Sequence, residues 1–221
     1  MIAGKHILNR AHGALIFGRR VRILAANLAQ EIPIGAEVLD VGTGDGSIAK
    51  AITLQRPDIK VEGIDVLLRP STHIPIRLFD GEHIPLSDNS VDVVSFVDVL
   101  HHTDNVRALL LEAARVSRHY ILIKDHLRDG LFAKATLRMM DWVGNYGHNV
   151  VLPYNYLSEW EWRDHFRGTN LSPEHWVERL GLYPFPFSLV FGRRLHFIAR
   201  LTAGRPLAFP MTNASKDIGL S

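Results

Sequence analysis

Cysteine is absent from the 221 residues, which excludes disulfides, thiol catalysis and thiolate metal sites and suits a reducing compartment. No apolar run approaches the roughly 18 residues needed to cross a bilayer. Neither sign of charge prevails: 25 Lys and Arg stand against 23 Asp and Glu, a formal +2 with histidine neutral. That balance implies no nucleic-acid partner. A secretory pattern is missing too, because Arg10, Arg19, Arg20 and Arg22 break up the early apolar residues, and the expected location is cytoplasmic. Internal repeats and low-complexity blocks are not evident before the aperiodic tail at 202–221.

What is present suits one globular core, with 47% apolar and 22% charged residues. A chain of this length buries on the order of 70% of its unfolded surface, so a single domain over 1–221 is expected. Its focus is Glu37 to Gly46, EVLDVGTGDG. Val38, Leu39 and Val41 read as a short buried strand, and Gly42, Gly44 and Gly46 follow at alternate positions. Glycine admits positive φ and lets a ligand approach where a Cβ would collide. Ser47 to Leu54 then reads as a helix, whose N-terminal N–H groups face the turn.

Around that turn the chain alternates strands and helices. Residues 1–36 form a helical cover, with Val21, Leu24, Ala25 and Leu28 on one face from Arg19 to Glu31. Arginines beside such a face also allow weak peripheral membrane contact. Lys60 to Asp65 is a second strand ending in an acid, 19 residues beyond Gly46. In a βαβ unit that position offers a carboxylate to both hydroxyls of a ribose. Pro70 and Pro75 shorten or abolish the next crossover helix. Strands follow at Ile76 to Phe79, Val91 to Val97 and Tyr120 to Lys124, with a helix over Asn105 to Val116. The alternation calls for a parallel α/β sheet with ligands beyond the carboxyl ends of its strands.

The ordered set DVGTGDG, Asp65, Asp80-Gly81, IPLSDNSVDVVSFVDVLHH and SPEHWVERLGL resembles class I S-adenosylmethionine-dependent methyltransferases, of the type 11 small-molecule group, over roughly 36–201. The resemblance implies a Rossmann-like, mostly parallel sheet with a C-terminal antiparallel strand and a helical insertion between the fifth and sixth strands. It implies S-adenosyl-L-methionine as cofactor. Asp40, Gly42 and Gly44 would line its methionine end, Asp65 and Val66 the ribose, Asp80 and Gly81 the adenine, and Asp98 and His101 the inner wall. The family's C-terminal strand pair is read at Phe185 to Val190 and His196 to Leu201, with Gly192, Arg193 and Arg194 as its turn. The glycine spacing agrees, since a dinucleotide site wants Gly-x-Gly-x-x-Gly and Ser47 occupies the sixth position here. A nucleotide-dependent oxidoreductase is the outside alternative.

Residues 127–170 exceed what the minimal fold requires and read as a lid or substrate wall, with helices at Leu131 to Val143 and Ser158 to Phe166. Trp142, Tyr146, Tyr154, Tyr156, Trp160 and Trp162 crowd it, so an aromatic or amphipathic small-molecule acceptor is expected. Methyl transfer needs a general base only for a hydroxyl acceptor. His126 and His148 are the chosen candidates, from a set that includes His101, His102 and Asp125. A metal joining Asp98 to Asp125 would resemble catechol-type enzymes, but no third ligand is evident and no metal is expected. Methylation of a lipid, RNA or protein, and a non-catalytic cofactor-binding role, are the rivals.

Overall fold

The computed structural model describes residues 18–145 and 155–203, with side chains to 140 in the first stretch. Its elements are α1 (18–31), β1 (Glu37–Val41), α2 (Ser47–Gln55), β2 (Lys60–Asp65), β3 (Ile76–Leu78), β4 (Val91–Val97), α3 (Val106–Val116), β5 (Ser117–His126), α4 (Ala133–Asn145), α5 (Glu159–Gly168), β6 (Leu171–Val177), α6 (Ser188–Phe191) and β7 (His196–Ala203). A single 3-10 turn, Leu100–His102, follows β4. The seven strands form one sheet in the order β3-β2-β1-β4-β5-β7-β6. The first five strands are parallel, and β7 runs antiparallel between β5 and β6.

Both faces of the sheet are covered, which is why β1, β4 and β5 read as nearly continuous apolar runs. On one face, Leu24, Ala25 and Leu28 of α1 and Ala49 and Ile52 of α2 pack over Val38, Val93, Leu122 and Ile198. Arg56 fastens these two helices, donating to the carbonyls of Ala29, Ile32 and Pro33 just beyond α1 and within it. On the other face α3 and α5 bury Leu109, Leu110, Trp162 and Phe166 against Val94, Phe96, Ile121 and Phe197. Asn105 accepts from Ala108 N (3.0 Å) and starts α3. Ser158 and Glu161 form a reciprocal capping box that starts α5. No helix lies between β2 and β3, as Pro70 and Pro75 dictate.

The strand expected at Phe185 to Val190 is not there. The outer strand is β6, drawn from the SPEHWV part of the downstream motif, and the 188–191 stretch is a single helical turn. Pro184 and Pro186 have no N–H to give a ladder. Pro173 is tolerated in β6 because that strand is the edge, where the register shifts between Pro173 and His175. Gly192, Arg193 and Arg194 therefore lead from α6 into β7 and do not close a hairpin. β7 also runs on through Thr202 to Ala203, two residues into the expected tail. The insertion does precede the sixth strand, and Tyr146, His148 and Tyr154 lie outside the described residues.

Candidate active site

The parallel strands β1, β2, β4 and β5 end on one rim, and the expected site residues collect there. After β1 the chain turns through Gly42, Gly44 and Gly46 with φ of 72°, 65° and 78°. A Cβ on Gly42 would come 2.5 Å from Val99, so this glycine serves packing. At Gly44 a Cβ would meet nothing within 4 Å, which leaves open space above the turn. Asp65 at the end of β2 accepts from the N–H of Gly44 (2.8 Å) and of Leu67 (2.9 Å), joining the two loops. Such an exposed backbone beside a strand-end carboxylate fits the ribose and amino-acid parts of S-adenosylmethionine, with Gly44 and Asp65 the residues that would hold it.

Asp40 turns inward. Its carboxylate accepts from Thr43 Oγ1 (2.6 Å) and Ser95 Oγ (2.7 Å), and burial pushes its pKa up. Val66 is exposed and would touch a Cβ on Gly81 at 3.1 Å, so β2 and β3 approach closely here. Asp80 is exposed beyond β3. It accepts from the N–H groups of His83 (2.7 Å) and Glu82 (2.8 Å), which lower its pKa to about 2.

Beyond β4 and β5 the groups become denser. Asp98 sits at φ 58° and pairs with Lys124 and with Arg20 of α1 (2.8 Å). Burial alone would raise the Asp98 carboxyl, but the cations beside it, Lys124 above all and then Arg20, hold it well below the usual range. Lys124 is fully buried, and desolvation lowers its pKa against the pull of Asp98. His101 Nδ1 lies 2.6 Å from Asp125 Oδ1, which also accepts from the His126 backbone N–H (2.8 Å). His126 Nε2 is 3.7 Å from Asp98. Burial, then the Lys124 charge, depresses the pKa of both His126 and His196, so both imidazoles are neutral at pH 7. Tyr156 from the insertion stacks on His101, ring centroids 5.5 Å apart.

His101, Asp125 and His126 present donor atoms within 4.8 Å of one another, a spacing a cation could use. The surrounding charges argue otherwise. Asp98 and Asp125 already balance Lys124 and Arg20, and a divalent ion would add two uncompensated charges to a buried cluster. The arrangement suits proton handling by neutral imidazoles, oriented by a carboxylate.

Of the expected residues, Asp40, Gly42, Gly44 and Asp65 gather at the turn, and Asp98, His101 and His126 gather at the other end of the rim. Lys124, Arg20, His196 and Ser95 were missed as partners. A lysine ending an apolar strand and a serine inside VDVVSFV both signal buried pairing. The approach of His196 to His126 follows from the β5–β7 register, which has no local signature.

A family model described as a methyltransferase domain matches residues 15–176. The ubiquinone/menaquinone biosynthesis C-methyltransferase UbiE of Cupriavidus pinatubonensis is 27% identical over 144 residues, 57% of this chain and 59% of that protein. The chain thus spans about three fifths of the length of that curated relative. Among solved structures, a chain from the complex of the Haloferax volcanii Trm112 methyltransferase activator with the putative methyltransferase has a TM-score of 0.64 at 16% identity, covering 84% of this chain and 91% of that one. A putative methyltransferase of Bacillus halodurans C-125 has a TM-score of 0.58 at 17% identity, covering 82% and 99%. At these identities the two structures speak for the fold, a Rossmann-like methyltransferase sheet. The chain belongs to the methyltransferase-domain family, as a class I S-adenosylmethionine-dependent methyltransferase.

Proposed function

We propose that this protein transfers a methyl group from S-adenosylmethionine to a small acceptor, aromatic or amphipathic, on oxygen or carbon. The observation that carries the reading is the open space over Gly44 beside the Asp65 carboxylate. When bound, the cofactor supplies a methyl group on positively charged sulfur, already activated for displacement. The protein has to align the acceptor and exclude water. Asp65 with Val66 would take the ribose, Asp80 with Gly81 the adenine, and Gly42 and Gly44 the methionine end. Asp40 and Asp98, already engaged with hydroxyls and cations, would act through the shape of the turn and the wall.

A hydroxyl acceptor hands its proton to a neutral imidazole. His126 and His148 are the proposed bases. His101, first read as cofactor wall, joins them because its 2.6 Å bond to Asp125 fixes its tautomer. The reading keeps the protein in the cytoplasm.

Calorimetry with S-adenosylmethionine, S-adenosylhomocysteine and NAD tests the cofactor half: micromolar binding of the two sulfur ligands and none of NAD is expected. Binding of NAD alone would overturn it. Tritiated methyl transfer to small phenols and quinols then tests the acceptor half. A second reading, a non-catalytic binder, draws on Tyr156 sealing the buried His101. Tight cofactor binding without product from a broad acceptor set would favour it.

A further inference from the structure

The first loop of the insertion and the segment around α6 share an apolar and largely basic surface. Between β5 and α4, Leu131 and Phe132 are 76% and 71% exposed; around α6, Phe185 and Leu189 are 79% and 65% exposed. Arg193 ties the loops together, its Nη1 donating to Leu131 O (3.4 Å) and its Nε to Val190 O (3.1 Å). A hollow of about 430 Å³ opens between them, lined by Leu127, Leu131 and Leu195 with Arg193 and Arg194 facing Asp129 and Glu159. Single exposed apolar side chains are ordinary, whereas several this large on neighbouring loops mark an interaction surface. Phe132 sits at φ 60°, a backbone conformation that bulky residues avoid, and its ring gains no burial in return.

Basic residues outnumber acidic ones on these loops: 127–140 and 184–195 contain Arg128, Lys134, Arg138, Arg193 and Arg194 against Asp129, and Arg128 pairs with Glu161 (2.6 Å). Glu178 and Glu159 take up Arg194. Lys134 is exposed, and Arg193 donates to carbonyl oxygens.

We propose that this surface docks on a lipid bilayer carrying anionic headgroups, with the Leu and Phe side chains entering the interface and Lys134 and Arg193 meeting the headgroups. Apolar residues at protruding loops with a cationic border are what interfacial binding requires, and anionic lipid supplies the complementary charge. The surface lies where β5 ends and β7 begins, on the same rim as the cofactor turn. A membrane-dissolved acceptor would therefore approach the site from the docked side.

Sedimentation of the full chain with vesicles tests this, using phosphatidylcholine alone and phosphatidylcholine with roughly 30% phosphatidylglycerol. Binding to the anionic vesicles, weakened by about 0.5 M NaCl, is expected. A Leu131→Asp, Leu189→Asp double variant changes only exposed side chains, so its thermal melt should be unchanged. Its vesicle affinity should fall about tenfold or more. Undiminished binding by that variant would move the contact to another surface, such as the arginines at the start of α1, and overturn the proposal. So would absence of binding by the parent protein. Dimerisation abolished by the same two substitutions, without vesicle binding, would assign the surface to a second copy of the chain instead.

Discussion

Gly44 and Asp65 have separable duties, and substitutions can tell them apart. A valine at position 44 meets no neighbour but must adopt φ 65°, at a stability cost of about 1–2 kcal/mol. Its side chain fills the space the cofactor needs, so Gly44→Val is expected to fold and to lose S-adenosylmethionine binding in calorimetry; retained affinity would remove the turn from the site. Asp65→Ala should weaken binding by about 1–3 kcal/mol, through lost bonds to the ribose and through loosening of the Gly44 and Leu67 N–H groups it now anchors. The placement of Asp65 was legible because strand, turn and acid fall at a spacing that βαβ geometry fixes. The environment of Asp40 was not, since one of its hydroxyl partners lies 55 residues away on β4. Nor was the engagement of Asp98, whose partners come from α1 and β5.

Among the elements, α5 decides whether the insertion stays on the sheet. Trp162 is wholly buried, donates from Nε1 to His126 O (3.1 Å) and packs edge-on against Phe197 (5.2 Å). Trp162→Ala should lower stability by about 3–5 kcal/mol in urea unfolding. Trp160, two residues earlier and 67% exposed, should change it by no more than about 0.5 kcal/mol when replaced by alanine. Equal losses would mean that the insertion is not fastened through Trp162. Helices α2, α3 and α5 were legible because apolar spacing and caps are local signals. The sixth strand was misread for a physical reason: LSPEHWV is an edge strand, largely exposed, with a proline and a register shift, so it lacks alternation. The stretch 185–190 has the apolar composition of a strand but prolines at positions that bar a ladder.

The whole molecule carries its buried charge as a balanced set, and pH tests that set. His126 and His196 have depressed pKa values in the folded protein, through burial first and Lys124 second. Below about pH 6.5 the unfolded chain binds protons that the folded one refuses, so stability rises with pH through this range and is lost on acidification. The slope is at most about 1.4 kcal/mol per pH unit for each histidine. Asp98, also depressed, adds a second loss once the pH falls below the ordinary carboxylate range. His83, raised by Asp80, works in the opposite sense, but it is exposed and screened. Thermal melts by circular dichroism should therefore show the midpoint falling steadily from pH 7.5 to 5, with a shallower slope in His196→Gln. A flat profile would mean that the imidazoles are already protonated in the folded state.

The position of β7 has a consequence for the order in which the protein comes together. It is the last described strand in sequence, yet it is internal, and Phe197 and Ile198 complete the core on opposite faces of the sheet. A ribosome-bound chain that has emerged only as far as Arg194 has the other described strands but leaves the edge of β5 bare and β6 without a neighbour. The long-range pairings that join β5 to β6 must wait for β7. Until it arrives, the unpaired edge of β5 is a site for chaperones or for another nascent chain.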